Sequence, residues 1–149
     1  MSKPEATLQL LNQYLADMQI YYMNLRGLHW NIRGKHFFEL HAQFEQLYTE
    51  AAISIDDTAE RILMLGGTPL HSYTDYLQTA ELKPAVNVTQ DEAAVRLVLD
   101  NLSYLMERER DLISHASELG DDTTADQYTQ RIVAHEKQAW MFRAWLGNA

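Results

Sequence analysis

An all-α four-helix bundle is the fold class this sequence predicts, and three observations predict it. Only three prolines occur in 149 residues, at positions 4, 69 and 84. Apolar residues recur at steps of three and four through each long proline-free stretch, the period of a helix with one buried face. Most of the six glycines fall at the junctions between those stretches. The whole chain, residues 1–149, is therefore expected to be one domain with a single core.

The first helix is expected from about Glu5 to Ile32, with a seam of Leu8, Leu11, Leu15, Met18, Tyr22, Leu25 and His29, and an end at Arg33-Gly34. The second is expected from His36 to Leu65, stopped by Gly66-Gly67 and then Thr68-Pro69. Its core stripe is Phe44, Leu47, Ala51, Ile55 and Ile62. The connection from Gly66 to Val88 is too long for a simple turn and suits a crossover along the bundle, with a short helix over Asp75–Glu81 inside it. The third long helix is expected to start near Thr89, where Thr89 and Glu92 form a capping box, and to end at Gly120. Val95, Leu99, Leu102, Met106, Ile113 and Ala116 are its apolar row. The fourth starts at Asp121-Asp122 and carries Tyr128, Ile132, His135, Ala139, Phe142 and Leu146.

The absence of cysteine excludes disulfides, zinc–thiolate sites and cysteine nucleophiles. The N-terminal residues hold no apolar run that reads as a signal peptide, and no stretch approaches the ~20 apolar residues of a membrane helix. A soluble cytoplasmic protein is the expectation. The net charge of -9 disfavours a general affinity for phosphate backbones and favours attraction of cations.

Chemistry concentrates in His29, His41, Glu45, Asp56 and Glu60. Imidazole nitrogen with carboxylate oxygen is a ligand mix that suits iron and similar transition metals. With His41 set to zero and ~100° per residue, Glu45, Asp56 and Glu60 lie near ~40°, ~60° and ~100°. The core stripe of the same helix centres near ~300°, so the polar row occupies a flank about 100° from the core. His41/Glu45 and Asp56/Glu60 are each i,i+4 pairs on one face. At ~1.5 Å rise per residue, however, His41 and Asp56 stand ~22 Å apart, far beyond the reach of one ion.

A second copy packed antiparallel against this flank resolves the separation. A two-fold axis near Glu50–Ala51 brings His41 and Glu45 of one chain to Asp56 and Glu60 of the other, making two identical sites per dimer. Thr49 and Ala52 near the crossing permit close approach. Across the turn at Arg33-Gly34, His29 falls roughly level with His41. Simpler meanings exist for each residue alone. His29 continues an apolar seam, as a core histidine does, and the carboxylates read equally as a solvated helix face.

The stretch Leu28-His29-Trp30-Asn31-Ile32-Arg33-Gly34-Lys35-His36-Phe37-Phe38-Glu39-Leu40-His41 resembles the signature of the Dps-type miniferritins, in the ferritin-like superfamily. So do Asp56-Asp57-Thr58-Ala59-Glu60-Arg61-Ile62, the Leu65-Gly66-Gly67 stop and the ending Trp140-Met141-Phe142-Arg143-Ala144-Trp145-Leu146-Gly147. The resemblance implies a ferritin-like bundle assembled as a hollow dodecamer, with ferroxidase centres at two-fold interfaces. Carried over, His29, His41 and Glu45 face the Asp56 and Glu60 of a neighbouring chain, and Glu45 stands where the family often has Asp. Trp30 matches the family's tryptophan beside the centre, an adjacent redox residue; on spacing alone it reads equally as an interface aromatic. The implied chemistry is oxidation of Fe(II) to Fe(III) by hydrogen peroxide, with ferric oxide stored in the cavity. Asp121 and Asp126 are the implied lining of an acidic pore at a three-fold axis, although an aspartate at Asp121 or Asp122 also suits a helix cap.

Three other readings compete. A ferritin or di-iron oxygenase with its metals inside one bundle uses Glu-x-x-His pairs, and no glutamate here has a histidine three residues later. A protein whose main role is to compact and protect DNA needs basic surface, whereas only Lys3 precedes the first helix, the C-terminus ends Gly147-Asn148-Ala149 and the charge is strongly negative. Weak or absent DNA binding is expected. A plain helical oligomer would use the polar row only as an interface. His135 is read as buried and structural because no carboxylate lies one turn away on its own stripe. His36 is read as a neighbour of the site, and His71 and His115 carry no assigned role.

Overall fold

The computed structural model describes residues 2–148; Met1, Ala149 and the side chain of Lys3, which belong to the terminal segments read as lacking a basic tail, lie outside the described residues. Those residues form five helices and no strand: α1 (Lys3–Asn31), α2 (Phe37–Met64), α3 (Tyr73–Thr79), α4 (Asp91–Glu118) and α5 (Asp122–Trp145). No helix among them is long and apolar enough to cross a membrane.

Most boundaries follow from caps. α1 starts two residues earlier than periodicity indicates, because Ser2 accepts from the Glu5 amide while the Glu5 carboxylate accepts from the Ser2 amide, with Pro4 in the first turn. α3 likewise begins at Tyr73 rather than Asp75, because the Ser72 hydroxyl caps the Asp75 amide. The capping box expected of Thr89 and Glu92 does not form. α4 is capped by Gln90 with no side-chain hydrogen bond, and Glu92 instead pairs with Arg96 one turn on, at 2.8 Å. At the other end of α4, Gly120 takes φ 73°, a left-handed value that glycine adopts at low cost, and the chain reverses into α5.

Two contacts fix the topology. The Arg33 amide at the α1–α2 turn donates to the Thr89 carbonyl just before α4. Arg61, near the end of α2, reaches Asp121 and Thr124 at the start of α5. α2 and α4 therefore start at the same end and run in the same direction, which the connecting segment makes possible by travelling the length of the bundle. Polar residues of α1 hold that segment: Asn12 brackets Thr68 and Leu70, Gln13 donates to the Thr79 carbonyl, and Asn24 takes Lys83 and Ala85. Between them the buried carboxylate of Asp17 accepts from the amides of Glu81 (2.7 Å) and Leu82 (3.0 Å) and from the hydroxyl of Tyr104 (2.6 Å). Gly67 lets the crossover leave α2 tightly, since a Cβ there would sit 2.7 Å from a Leu8 methyl.

The core stripe of α2 is as expected but for Ile55, which is only partly buried. On α4 the buried row is rotated from the one expected. Ala94, Val98, Leu105, Glu109 and Leu112 are buried with Val95, Leu102 and Ala116, while Leu99, Met106 and Ile113 are half-buried. This rotation brings a glutamate into the centre of the bundle.

Candidate metal centre

His29 lies in the last turn of α1 and His41 in the second turn of α2, and the short reversal between the helices sets their rings face to face. Their centroids are 3.7 Å apart at 13°. Each ring donates from Nδ1 to the other residue's backbone carbonyl, both at 2.7 Å. A carbonyl oxygen can only accept, so both Nδ1 atoms carry the proton. In a neutral ring held this way the lone pair stands on Nε2, the atom a metal would bind. His29 Nε2 lies 3.7 Å from Glu45 Oε1. Phe37 stacks on His41 at 4.8 Å, and Tyr48 meets His29 edge-on at 5.3 Å. His29 is buried, whereas Glu45 is exposed on the flank of α2.

Asp56 and Glu60, also exposed, form a second group further along α2. A hydrogen bond with Asp56 and the repulsion of its charge raise the Glu60 carboxyl above its ordinary value. The two carboxylates crowd each other, and a bound cation would relieve that cost. Among the described residues no three histidine or acidic side chains converge on one point. One chain thus offers two partial donor sets, a histidine–glutamate end and an aspartate–glutamate end.

A ferritin-like domain model matches residues 8–149. The DNA protection during starvation protein of Porphyromonas gingivalis is 43% identical over 135 residues, 91% of this chain and 85% of that protein. The chain belongs to the Dps-type miniferritins. The Dps crystal structure from Vibrio cholerae O1, described as a member of a broad superfamily of ferritin-like diiron-carboxylate proteins, superposes with a TM-score of 0.95 at 41% identity, over 97% of this chain and 91% of that one. The Dps structure from Bacillus brevis gives a TM-score of 0.95 at 34% identity, with 98% of both chains covered. The five helices, with no strand among the described residues, superpose on these Dps structures over nearly their whole length.

Other residues singled out in the sequence have definite positions in this miniferritin. Trp30 is exposed, and the Arg26 guanidinium lies over its ring at 4.8 Å while also covering Tyr48 at 4.6 Å. Asp121 is the N-cap of α5, taking the amide and hydroxyl of Thr124 and the Arg61 guanidinium at 3.1 Å. Partial burial pushes its carboxyl up, but these donors outweigh burial and hold it below its ordinary value. Asp126 is exposed and accepts from Gln130. A surface groove of about 370 Å³ joins Asp126 to Asp57 and Glu60. His36 pairs with Glu39 at 2.9 Å and lies edge-on to Trp145, bracing the α1–α2 turn. His71 bonds to the Pro69 carbonyl.

Sequence reasoning missed one group. His135 does have a carboxylate partner, on another helix: its Nδ1 donates to Glu109 at 2.6 Å, and the Tyr14 hydroxyl donates to the same oxygen at 2.6 Å. The readable signal was Glu109 itself, a charge standing in the apolar line of Leu105, Leu112 and Ala116.

Proposed function

We propose that this miniferritin is a ferroxidase whose centres are completed between chains. His29, His41 and Glu45 of one chain and Asp56 and Glu60 of its neighbour bind Fe(II), which hydrogen peroxide oxidises to Fe(III) for storage as ferric oxide inside a dodecameric shell. The observation that carries the reading is the reciprocal histidine lock, which commits both Nδ1 atoms and leaves both Nε2 atoms for a ligand, that of His29 beside Glu45, while the remaining acids sit ~22 Å away on the same helix. Neutral imidazoles contribute ligation without charge, and the carboxylates stabilise the additional charge of Fe(III). A neighbour related by a two-fold axis supplies each half with the other. Trp30 is the adjacent residue that can give up an electron, and Asp126, with Asp121 behind it, marks the entry route for iron. Consuming iron and peroxide together would protect DNA chemically, which fits the name of the Porphyromonas gingivalis relative without requiring an acidic shell to coat a duplex.

Mixing subunits tests the shared site. His41→Ala and Asp56→Ala assemblies are each expected to lose most peroxide-dependent Fe(II) oxidation. A chain carrying His41→Ala beside one carrying Asp56→Ala retains one intact site of the two, so random co-assembly restores about a quarter of the sites. No recovery on mixing, with mixed shells shown by mass spectrometry, rules out the shared centre. Undiminished oxidation by Asp56→Ala alone rules out the ligand assignment.

A further inference from the structure

Behind the acidic half of the proposed centre, the bundle interior holds a line of groups that iron binding leaves unused. Thr58, between Asp56 and Glu60 in sequence but turned to the core, shares a 2.9 Å hydrogen bond with the Tyr128 hydroxyl. The Tyr128 ring meets that of Tyr14 edge-on, with centroids 5.2 Å apart. Tyr14 donates to Glu109, which His135 also holds. All five residues are buried. The line therefore begins about one helix width, ~10 Å, from the acid pair and ends at the bundle axis.

A phenol gives up an electron readily only when its proton has an acceptor, and the tyrosines differ in this respect. Tyr128 faces a hydroxyl, which holds no second proton, and the Tyr21 hydroxyl has no partner among the described residues. Tyr104 donates to Asp17, but that carboxylate already takes two backbone amides and Gln13, so neither of its oxygens is without another donor. Arg108 also lies over the Tyr104 ring at 5.2 Å and opposes the loss of an electron from it. Tyr14 alone combines a 2.6 Å bond to a fully buried carboxylate with an oxygen of that carboxylate, Glu109 Oε1, that no donor reaches among the described residues.

We propose that Tyr14 is a buried one-electron reserve for the iron reaction, passing its phenolic proton to Glu109 as it is oxidised. The proposal rests on the ferroxidase reading. Reduction of hydrogen peroxide to two waters takes two electrons and two protons, and a single Fe(II) supplies one electron. Tyr14 supplies the other: its O–H bond breaks, the proton goes to Glu109, a neutral phenoxyl radical remains and the electron passes through Tyr128 to the oxidant. The two protons that complete the waters come from solvent. A later Fe(II) returns the electron and Glu109 returns the proton. The reserve prevents a half-reduced peroxide from leaving as hydroxyl radical.

Freeze-quench electron paramagnetic resonance on the assembled protein, with about one Fe(II) per centre and excess peroxide, should show a tyrosyl signal that narrows with ring-deuterated tyrosine. Tyr14→Phe, which removes a single oxygen, should reduce that signal several-fold and raise the hydroxyl radical trapped per Fe(II) oxidised by a similar factor. Glu109→Gln, lacking the proton acceptor, should do the same while keeping Tyr14. A wild-type signal that Tyr14→Phe leaves unchanged overturns the proposal. A second arm oxidises iron-free protein with pulse-generated azidyl radicals, which places the electron hole without iron chemistry. If it settles elsewhere than Tyr14, the reserve is refuted even where iron is oxidised normally. If wild type forms no Fe(III), the ferroxidase reading fails, visibly by absorbance, and the reserve falls with it.

Discussion

The two histidines of the centre are oriented by main chain. Each Nδ1 is committed to a carbonyl across the helix pair, so each Nε2 is aimed without a carboxylate behind it. Nitrogen NMR of the iron-free protein near neutral pH should therefore show both rings with the proton on Nδ1. His41 should keep that tautomer in His29→Ala, because the carbonyl of residue 29 survives the substitution. A proton on Nε2 of either ring in wild type contradicts the arrangement. The presence of both histidines and their level placement could be read from spacing; the lock could not, since carbonyl acceptors leave no trace in residue identity. Asp121 shows the converse. That Asp121 or Asp122 caps the helix was legible, but the Arg61 partner of Asp121 lay 60 residues away in sequence.

At the scale of the helix, that cap has a definite pH signature. The Asp121 carboxyl is held below its ordinary value in the folded protein, so its contribution is fully present above the unfolded carboxylate value and fades as pH falls through the lower folded one. Asp121→Ala is expected to cost about 1 kcal/mol near neutrality, the usual size of a lost N-cap. Denaturation curves of the two proteins should converge below the carboxylate range. A constant difference down to strongly acid pH would mean that the cap acts other than as an anion. The helices themselves were legible because their periodicity is long and uninterrupted. The start of α4 was not, because the Thr89 carbonyl is taken by Arg33 and the helix begins two residues later. The phase of α4 was misread for a related reason: the buried face includes Asn101 and Glu109, and polar residues in a core invert the simplest signal for its position.

For the whole molecule, charge governs what the assembled protein meets. Each chain carries -9, a charge that in an assembled shell is expected to oppose a DNA backbone and to attract cations. In a gel-shift assay at moderate salt without free metal, linear duplex DNA should run unretarded; tight retardation would show a basic surface that the net charge conceals. The crossover was legible as a long connection, and its path follows from Asn12, Gln13, Asp17 and Asn24, residues of α1 with no obvious meaning until the segment they hold is seen. The separation of the His41/Glu45 and Asp56/Glu60 pairs was legible for the opposite reason: it is a matter of distance along one helix, which sequence gives directly.

The histidine lock has a consequence for how such a protein can change over generations. Its acceptors are peptide oxygens, so no substitution at a neighbouring side chain removes them, and the surrounding residues are free to drift. The two rings are also each other's stacking partner, so losing either histidine disturbs the other. Inheritance of the lock thus reduces to two codons and the register of two helices. The pair is kept or lost together, while Phe37, Tyr48 and their neighbours can vary without erasing it.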